Sequence, residues 1–144
     1  MEAAATATDA SLPDLGPGPD GGPRYLVVLS DIHLGTDAPT VWYQRAVHEP
    51  ILRHLLGWIG RQAAQVREVV LLGDVVDLWT YPGRVRPPRF RDIVASHPAT
   101  LGPDGALVAL LDEVPGGVTY VPGNHDQGVT PREVGAIRSR ATGR

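Results

Sequence analysis

The sequence predicts an α/β fold, a mainly parallel sheet with flanking helices. Short continuous apolar runs occur at residues 25–29 and 69–72, as expected of buried strands (on both faces for the first), and Val118-Thr119-Tyr120-Val121 gives a third strand. Segments with apolar residues at helical spacing separate them, and alternating strands and helices favour parallel pairing. Each apolar run is followed by a turn containing Gly, Asp, Asn or His. Open α/β sheets place their ligand sites at such strand C-termini.

Taken in order, residues 1–23 are rich in Ala, Gly, Pro and Asp and carry no apolar period. They are expected to form a disordered leader, because such a composition buries too little surface to offset ordering entropy. The leader lacks the basic and apolar regions of a signal peptide. Residues 24–144 are expected to form one domain. Tyr25–Leu29 opens it as a strand, and Thr36–Thr40, with Pro39, makes a loop. A helix is expected over about residues 50–66, with Pro50 in its first turn. Ile51, Leu55, Ile59 and Ala63 would lie on its apolar stripe, widened by Leu52, Leu56 and Val66.

Val69–Leu72 is the second strand, ended by Gly73. Residues 80–105 contain five prolines and four arginines and are expected to be a long loop. A short helix follows at about 105–114, with Leu107, Leu110, Leu111 and Val114 on one side, and Pro115-Gly116-Gly117 stops it. Val118–Val121 is the third strand. Thr130-Pro131-Arg132-Glu133 reads as a helix start, with an N-cap, proline at the first position and a capping-box glutamate.

The 144 residues include no cysteine, which excludes disulfides, thiolate metal sites and a cysteine nucleophile. The net charge of −3, from 13 basic and 16 acidic residues, argues against a general nucleic-acid scaffold. It is compatible with a small phosphorylated substrate, since bound divalent cations invert the local charge. No run approaches the roughly 20 apolar residues of a membrane span, so the chain is expected to be soluble and cytoplasmic.

Three turns carry the chemistry: Asp31-Ile32-His33, Gly73-Asp74-Val75-Val76-Asp77 and Gly123-Asn124-His125-Asp126. Asp31 and His33, two apart at a strand end, can reach one side of the chain and offer mixed oxygen and nitrogen donors. Such a set suits Mn, Fe or Zn better than Ca. Asp74 follows a glycine that permits a sharp turn, and its carboxylate can bridge two cations. Asn124 offers a neutral amide oxygen to a second ion. His125 is a candidate for action on a phosphate oxygen or leaving group, with Asp77 accepting its other N–H. Two ions roughly 3.5–4 Å apart would hold a hydroxide for in-line attack. Taken singly, the turns also read as a loop pair, a turn or helix cap, and an Asx-turn.

Among the remaining candidates, Arg84, Arg86, Arg89 and Arg91 lie in the loop after Asp77. They read either as a phosphate clamp or as a solvated loop. His48 and His54 read as surface or partly buried residues, and His97 as a loop residue without a partner. Trp42, Trp58 and Trp79 read as packing residues.

The three turns together resemble the calcineurin-like metallophosphoesterases over about residues 24–126. The wording around Asp31 and Asp74 looks most like the branch containing UDP-2,3-diacylglucosamine pyrophosphohydrolase. The resemblance implies a two-sheet sandwich of which this chain supplies the first sheet, and a metal-dependent hydrolase of phosphomonoester, phosphodiester or pyrophosphate bonds. It implies Asp31 and His33 on one metal, Asp74 bridging, and Asn124 on the second. It also implies His125 stabilising or protonating the leaving group beside Asp77, with Asp126 supporting the loop. The family's later histidines have no counterpart after His125, so the second site is expected to be incomplete and the chain truncated. The alternative is an inactive remnant that binds one cation weakly or serves as an interaction module. A partner chain or self-association over the uncovered sheet is a further expectation.

Overall fold

β-branched and aromatic residues recur in the three runs expected to pair, and in the computed structural model all three pair in parallel, in the order β1-β2-β3. The structure describes residues 12–83 and 85–143. Residues 1–11 of the expected leader, and Arg84, lie outside the described residues. Strand β1 is Tyr25–Leu29, β2 is Val66–Leu72 and β3 is Val118–Val121. The register sets Val28 beside Val70, Val70 beside Thr119, and Leu72 beside Val121.

Helix α1 spans Arg45–Arg61 and α4 spans Ala106–Glu113. Between β2 and α4 come α2, Phe90–Ser96, and α3, Pro98–Leu101; α5, Pro131–Val134, follows β3. One sheet face, carrying Val69, Leu71 and Tyr120, packs into a core with Leu56 and Ile59 of α1. The same core takes in Phe90 and Ile93 of α2 and Leu107 and Leu110 of α4. Strands in consecutive order joined by crossovers of one hand receive both connections on the same face. The other face is therefore bare: Leu26, Val28, Leu72 and Val121 are 47%, 49%, 51% and 40% exposed.

The expectation of a strand buried on both faces is thus corrected for β1, whose alternate residues face outward. Continuous apolarity marks both faces as apolar without ensuring that both are covered.

Two further expectations change. The first helix begins at Arg45, ahead of the expected start, and holds Pro50 in its interior. Proline there removes one helical hydrogen bond, and the rest of the helix persists because Glu49, Leu56 and Ile59 are buried. Ile51 lies off that stripe and is exposed, while Val66 belongs to β2. The expected loop over 80–105 contains α2 and α3, because Phe90, Ile93 and Leu101 supply enough buried apolar surface to seat two short helices.

The start at Thr130 forms as expected: its hydroxyl accepts from Glu133 N–H, and the Glu133 carboxylate accepts from Thr130 N–H at 2.9 Å. Within the leader, Leu15 N–H donates to Gln62 Oε1 at 3.0 Å, and Leu15 packs against the core.

Candidate metal centre

Beyond the strand ends, the loops after β1 and β2 stay zipped by backbone bonds. Asp31 N–H donates to Gly73 O at 3.2 Å, His33 N–H to Asp74 O at 2.8 Å, and Leu34 N–H to Val75 O at 2.9 Å. The loop after β3 joins them through side chains. His125 N–H donates to Asp74 Oδ1 at 2.8 Å. The buried Asp126 carboxylate accepts from Val75 N–H at 2.8 Å and from Gly123 N–H. Asp126 therefore ties the second turn to the third. Gly123 passes so close to Asp74 that an added Cβ would lie 2.7 Å from Asp74 N, which is the physical requirement for glycine there.

Three residues in this cluster have strained backbones. Asp31, His33 and Asp74 have φ of 56°, 55° and 53°, and they are the only non-glycine residues with positive φ among the described residues. A left-handed conformation costs a residue with a Cβ on the order of 1–2 kcal/mol. Asp31, His33 and Asp74 also bring one possible ligand atom each to within 4.8 Å of one another. His33 Nε2 lies 4.0 Å from Asp31 Oδ1, and the Asp31 side chain is 72% exposed. His33 Nδ1 is buried without a hydrogen-bond partner, a state that costs about 1–3 kcal/mol when nothing else satisfies the atom.

A second group, His33, Asp77 and His125, meets the same 4.8 Å limit, yet its carboxylate is already occupied. Asp77 is fully buried, and its Oδ1 accepts from Trp79 N–H at 2.8 Å and Thr80 N–H at 3.1 Å. Its Oδ2 accepts from the Thr80 hydroxyl. His125 Nδ1 donates to the same Oδ1 at 3.2 Å. Asp77 thus accepts four hydrogen bonds, three of them at Oδ1, one of these from the Nδ1 side of the His125 ring. The His33 and His125 rings meet edge to face at 4.6 Å.

Asn124 is exposed between Gly123 and His125 on the third loop. Tyr120, just upstream on β3, has its phenol pushed far above the ordinary range by burial first, then by the Asp126 and Asp74 carboxylates.

Of the chemistry-bearing side chains outside the turns, Trp42, Trp79 and His97 fall differently from expectation. Trp58 is partly buried against the core, but Trp42 and Trp79 are exposed and stand beside His125. His97 is fully buried, with Nε2 2.7 Å from Gly35 O and Nδ1 3.4 Å from Glu49 Oε1. His48 and His54 are exposed on α1. Arg86, Arg89 and Arg91 are exposed, Arg91 beside Asp92 at 3.7 Å. His97 could have been found only through its distant partners, and the two indoles through their position next to the turns.

No protein-family model and no curated protein matches this chain. Some of its His and Asp groups can hold a metal ion. Among the described residues no helix is long and apolar enough to cross a membrane.

Proposed function

We propose that this chain is a metal-dependent phosphoesterase with its site at the C-terminal ends of β1, β2 and β3, in the manner of the calcineurin-like family its turns resemble. The observation that carries this reading is the coincidence of strain with donor chemistry. The three strained residues, Asp31, His33 and Asp74, are the ones whose carboxylates and imidazole converge. Strain of this kind persists where surrounding structure over-determines it, and it concentrates at functional sites. The orphaned His33 Nδ1 also fits a site that has a ligand to gain.

In this reading Asp31 and His33 hold one divalent cation, Asp74 is shared, and Asn124 serves a second. Manganese suits the mixed donors, with iron or zinc as alternatives. When bound, such cations supply Lewis-acid charge for the phosphoryl oxygens and a water that deprotonates near neutral pH. The chain's own part is positional. Asp74 Oδ1 accepts from the His125 backbone N–H, which positions the carboxylate that would be shared by the cations. Asp77 holds the Nδ1 side of His125, so Nε2 is the atom offered to a phosphoryl or leaving-group oxygen. Hydrolysis forms a P–O bond from a water oxygen, which gives up a proton to solvent, and breaks the P–O bond to the leaving group, whose oxygen would take a proton from His125 Nε2.

The test is hydrolysis of bis(p-nitrophenyl) phosphate by purified chain with Mn²⁺, beside Asp74→Ala and His125→Ala. Loss of turnover in both supports the reading, and unchanged turnover in Asp74→Ala ends it.

The donor count favours a second reading, an inactive remnant that binds one cation weakly. Among the described residues, the donors proposed for a second cation are Asp74 and Asn124 alone, since His48 and His54 are exposed on α1 and His97 is committed elsewhere. Turnover by the pure wild-type chain excludes it. The bare sheet face favours completion by a partner chain or a second copy; mixing with such a partner should then raise Mn²⁺ affinity, and an inert mixture argues against it.

A further inference from the structure

Burying an indole removes on the order of 150–250 Å² from water, yet Trp42 and Trp79 remain 61% and 53% exposed. Neither is loosely held. Trp42 sits between Val41 and Tyr43, both buried, so its backbone is anchored on each side and its ring is held outward. Trp79 N–H donates at 2.8 Å to Asp77 Oδ1, the oxygen that also accepts from His125 Nδ1. One indole comes from the loop after β1 and the other from the loop after β2. Both reach His125 on the third loop, with ring centroids 5.8 Å and 5.2 Å away. Trp42 also lies 5.0 Å from the His33 ring. Two indoles on anchored backbones thus stand more than half exposed beside the groups assigned to the phosphoryl centre.

We infer that Trp42 and Trp79 form a stacking platform for a planar aromatic group on the substrate, making the substrate class an aryl- or nucleobase-bearing phosphoester. The choice of a phosphoester rests on the phosphoesterase reading above, whereas the platform rests on the exposure and anchoring of the two rings. Stacking on an exposed aromatic side chain is tolerant of the ring's identity, because every base or aryl group has a π-face. Pre-anchored rings lose little entropy on binding, so the contact converts efficiently into affinity. The competing role is a simple cover over the two histidines. A cover alters stability or metal affinity when removed, without regard to the aromaticity of any ligand.

The experiment is calorimetric titration of the whole chain, in Mn²⁺, with four probes: adenosine 5′-monophosphate, phenyl phosphate, ribose 5-phosphate and methyl phosphate. It is repeated with Trp42→Leu, Trp79→Leu and the ring-conserving Trp42→Phe and Trp79→Phe, so that loss of folding is separable from loss of stacking. The wild type is expected to bind each aromatic probe about tenfold tighter than its non-aromatic counterpart. That preference should collapse in the leucine variants and be largely kept by the phenylalanine variants.

Tighter binding of the nucleotide than of phenyl phosphate assigns a nucleobase, and parity assigns an aryl group in general; both uphold the platform. Equal affinity for aromatic and non-aromatic probes, no binding of any probe, or a preference that survives in both leucine variants overturns it. An aromatic preference together with unchanged hydrolysis in Asp74→Ala would leave the platform standing and remove the phosphoesterase reading.

Discussion

Asp31 offers a way to separate backbone strain from ligand chemistry at one residue. Its φ of 56° is unfavourable for any residue with a Cβ. Its side chain is 72% exposed, and among the described residues its one ion-pair neighbour, His33, is 4.0 Å away. Truncation therefore removes little packing, and the exposed ion pair contributes at most about 1 kcal/mol. Asp31→Ala keeps the strain of about 1–2 kcal/mol. Asp31→Gly releases it, offset by about 0.5–1 kcal/mol of extra chain entropy in the unfolded state.

The glycine variant should then be more stable than the alanine variant by about 1 kcal/mol, or on the order of 4 °C in Tm for a domain of this size. Thermal melts with and without Mn²⁺ read both effects. Wild-type Tm should rise with Mn²⁺, because a ligand that binds only the folded state stabilises it by mass action. Both variants should lose most of that rise. A glycine variant no more stable than the alanine variant refutes the strain argument, and a full Mn²⁺ response in both variants refutes Asp31 as a ligand.

Three other perturbations probe the scaffold. Gly123→Ala sets a Cβ 2.7 Å from Asp74 N; it should cost about 1–3 kcal/mol and abolish the Mn²⁺-dependent rise in Tm. Asp126→Ala strips Val75 N–H and Gly123 N–H of their buried acceptor, and a urea titration should show a loss of at least about 2 kcal/mol. Hydrogen bonds from the Thr130 backbone and hydroxyl hold the Glu133 carboxyl below its ordinary value of 4.5. The stabilisation it gives α5 is therefore present above that value and lost as pH falls below it. Protection of the α5 amides relative to their intrinsic exchange rate should fall as pH drops below about 4.5 while that of β2 holds, and Glu133→Gln should remove the difference.

The strands were legible because short apolar runs bounded by glycine and polar turns leave few alternatives. Strand β1 and strand β3 fall where the residues place them. What covers them was not legible, since an apolar face looks the same in sequence whether or not a partner layer exists. Pro50 misplaced the start of α1, because proline preference for a first turn is weaker than the burial of Glu49, Leu56 and Ile59. The proline- and arginine-rich stretch concealed α2 and α3, whose apolar anchors are few and widely spaced.

At the site, residue types announced donor chemistry, and the fold brings Asp31, His33 and Asp74 together and joins His125 to Asp77. The positive φ angles had no sequence signal, since none of the three residues is glycine. The burial of His97 depends on Gly35 and Glu49, both distant in sequence. The outward display of Trp42 follows from the burial of its two neighbours.

The central claim is that the Asp31–His33–Asp74 group holds a cation in the service of phosphoester hydrolysis. Parallel Mn²⁺ calorimetry and bis(p-nitrophenyl) phosphate hydrolysis on the wild type, Asp74→Ala and His125→Ala test it most directly. The wild type should bind and turn over, Asp74→Ala should lose both, and His125→Ala should bind Mn²⁺ while losing turnover. Mn²⁺ binding and hydrolysis that are both indifferent to Asp74→Ala would contradict it.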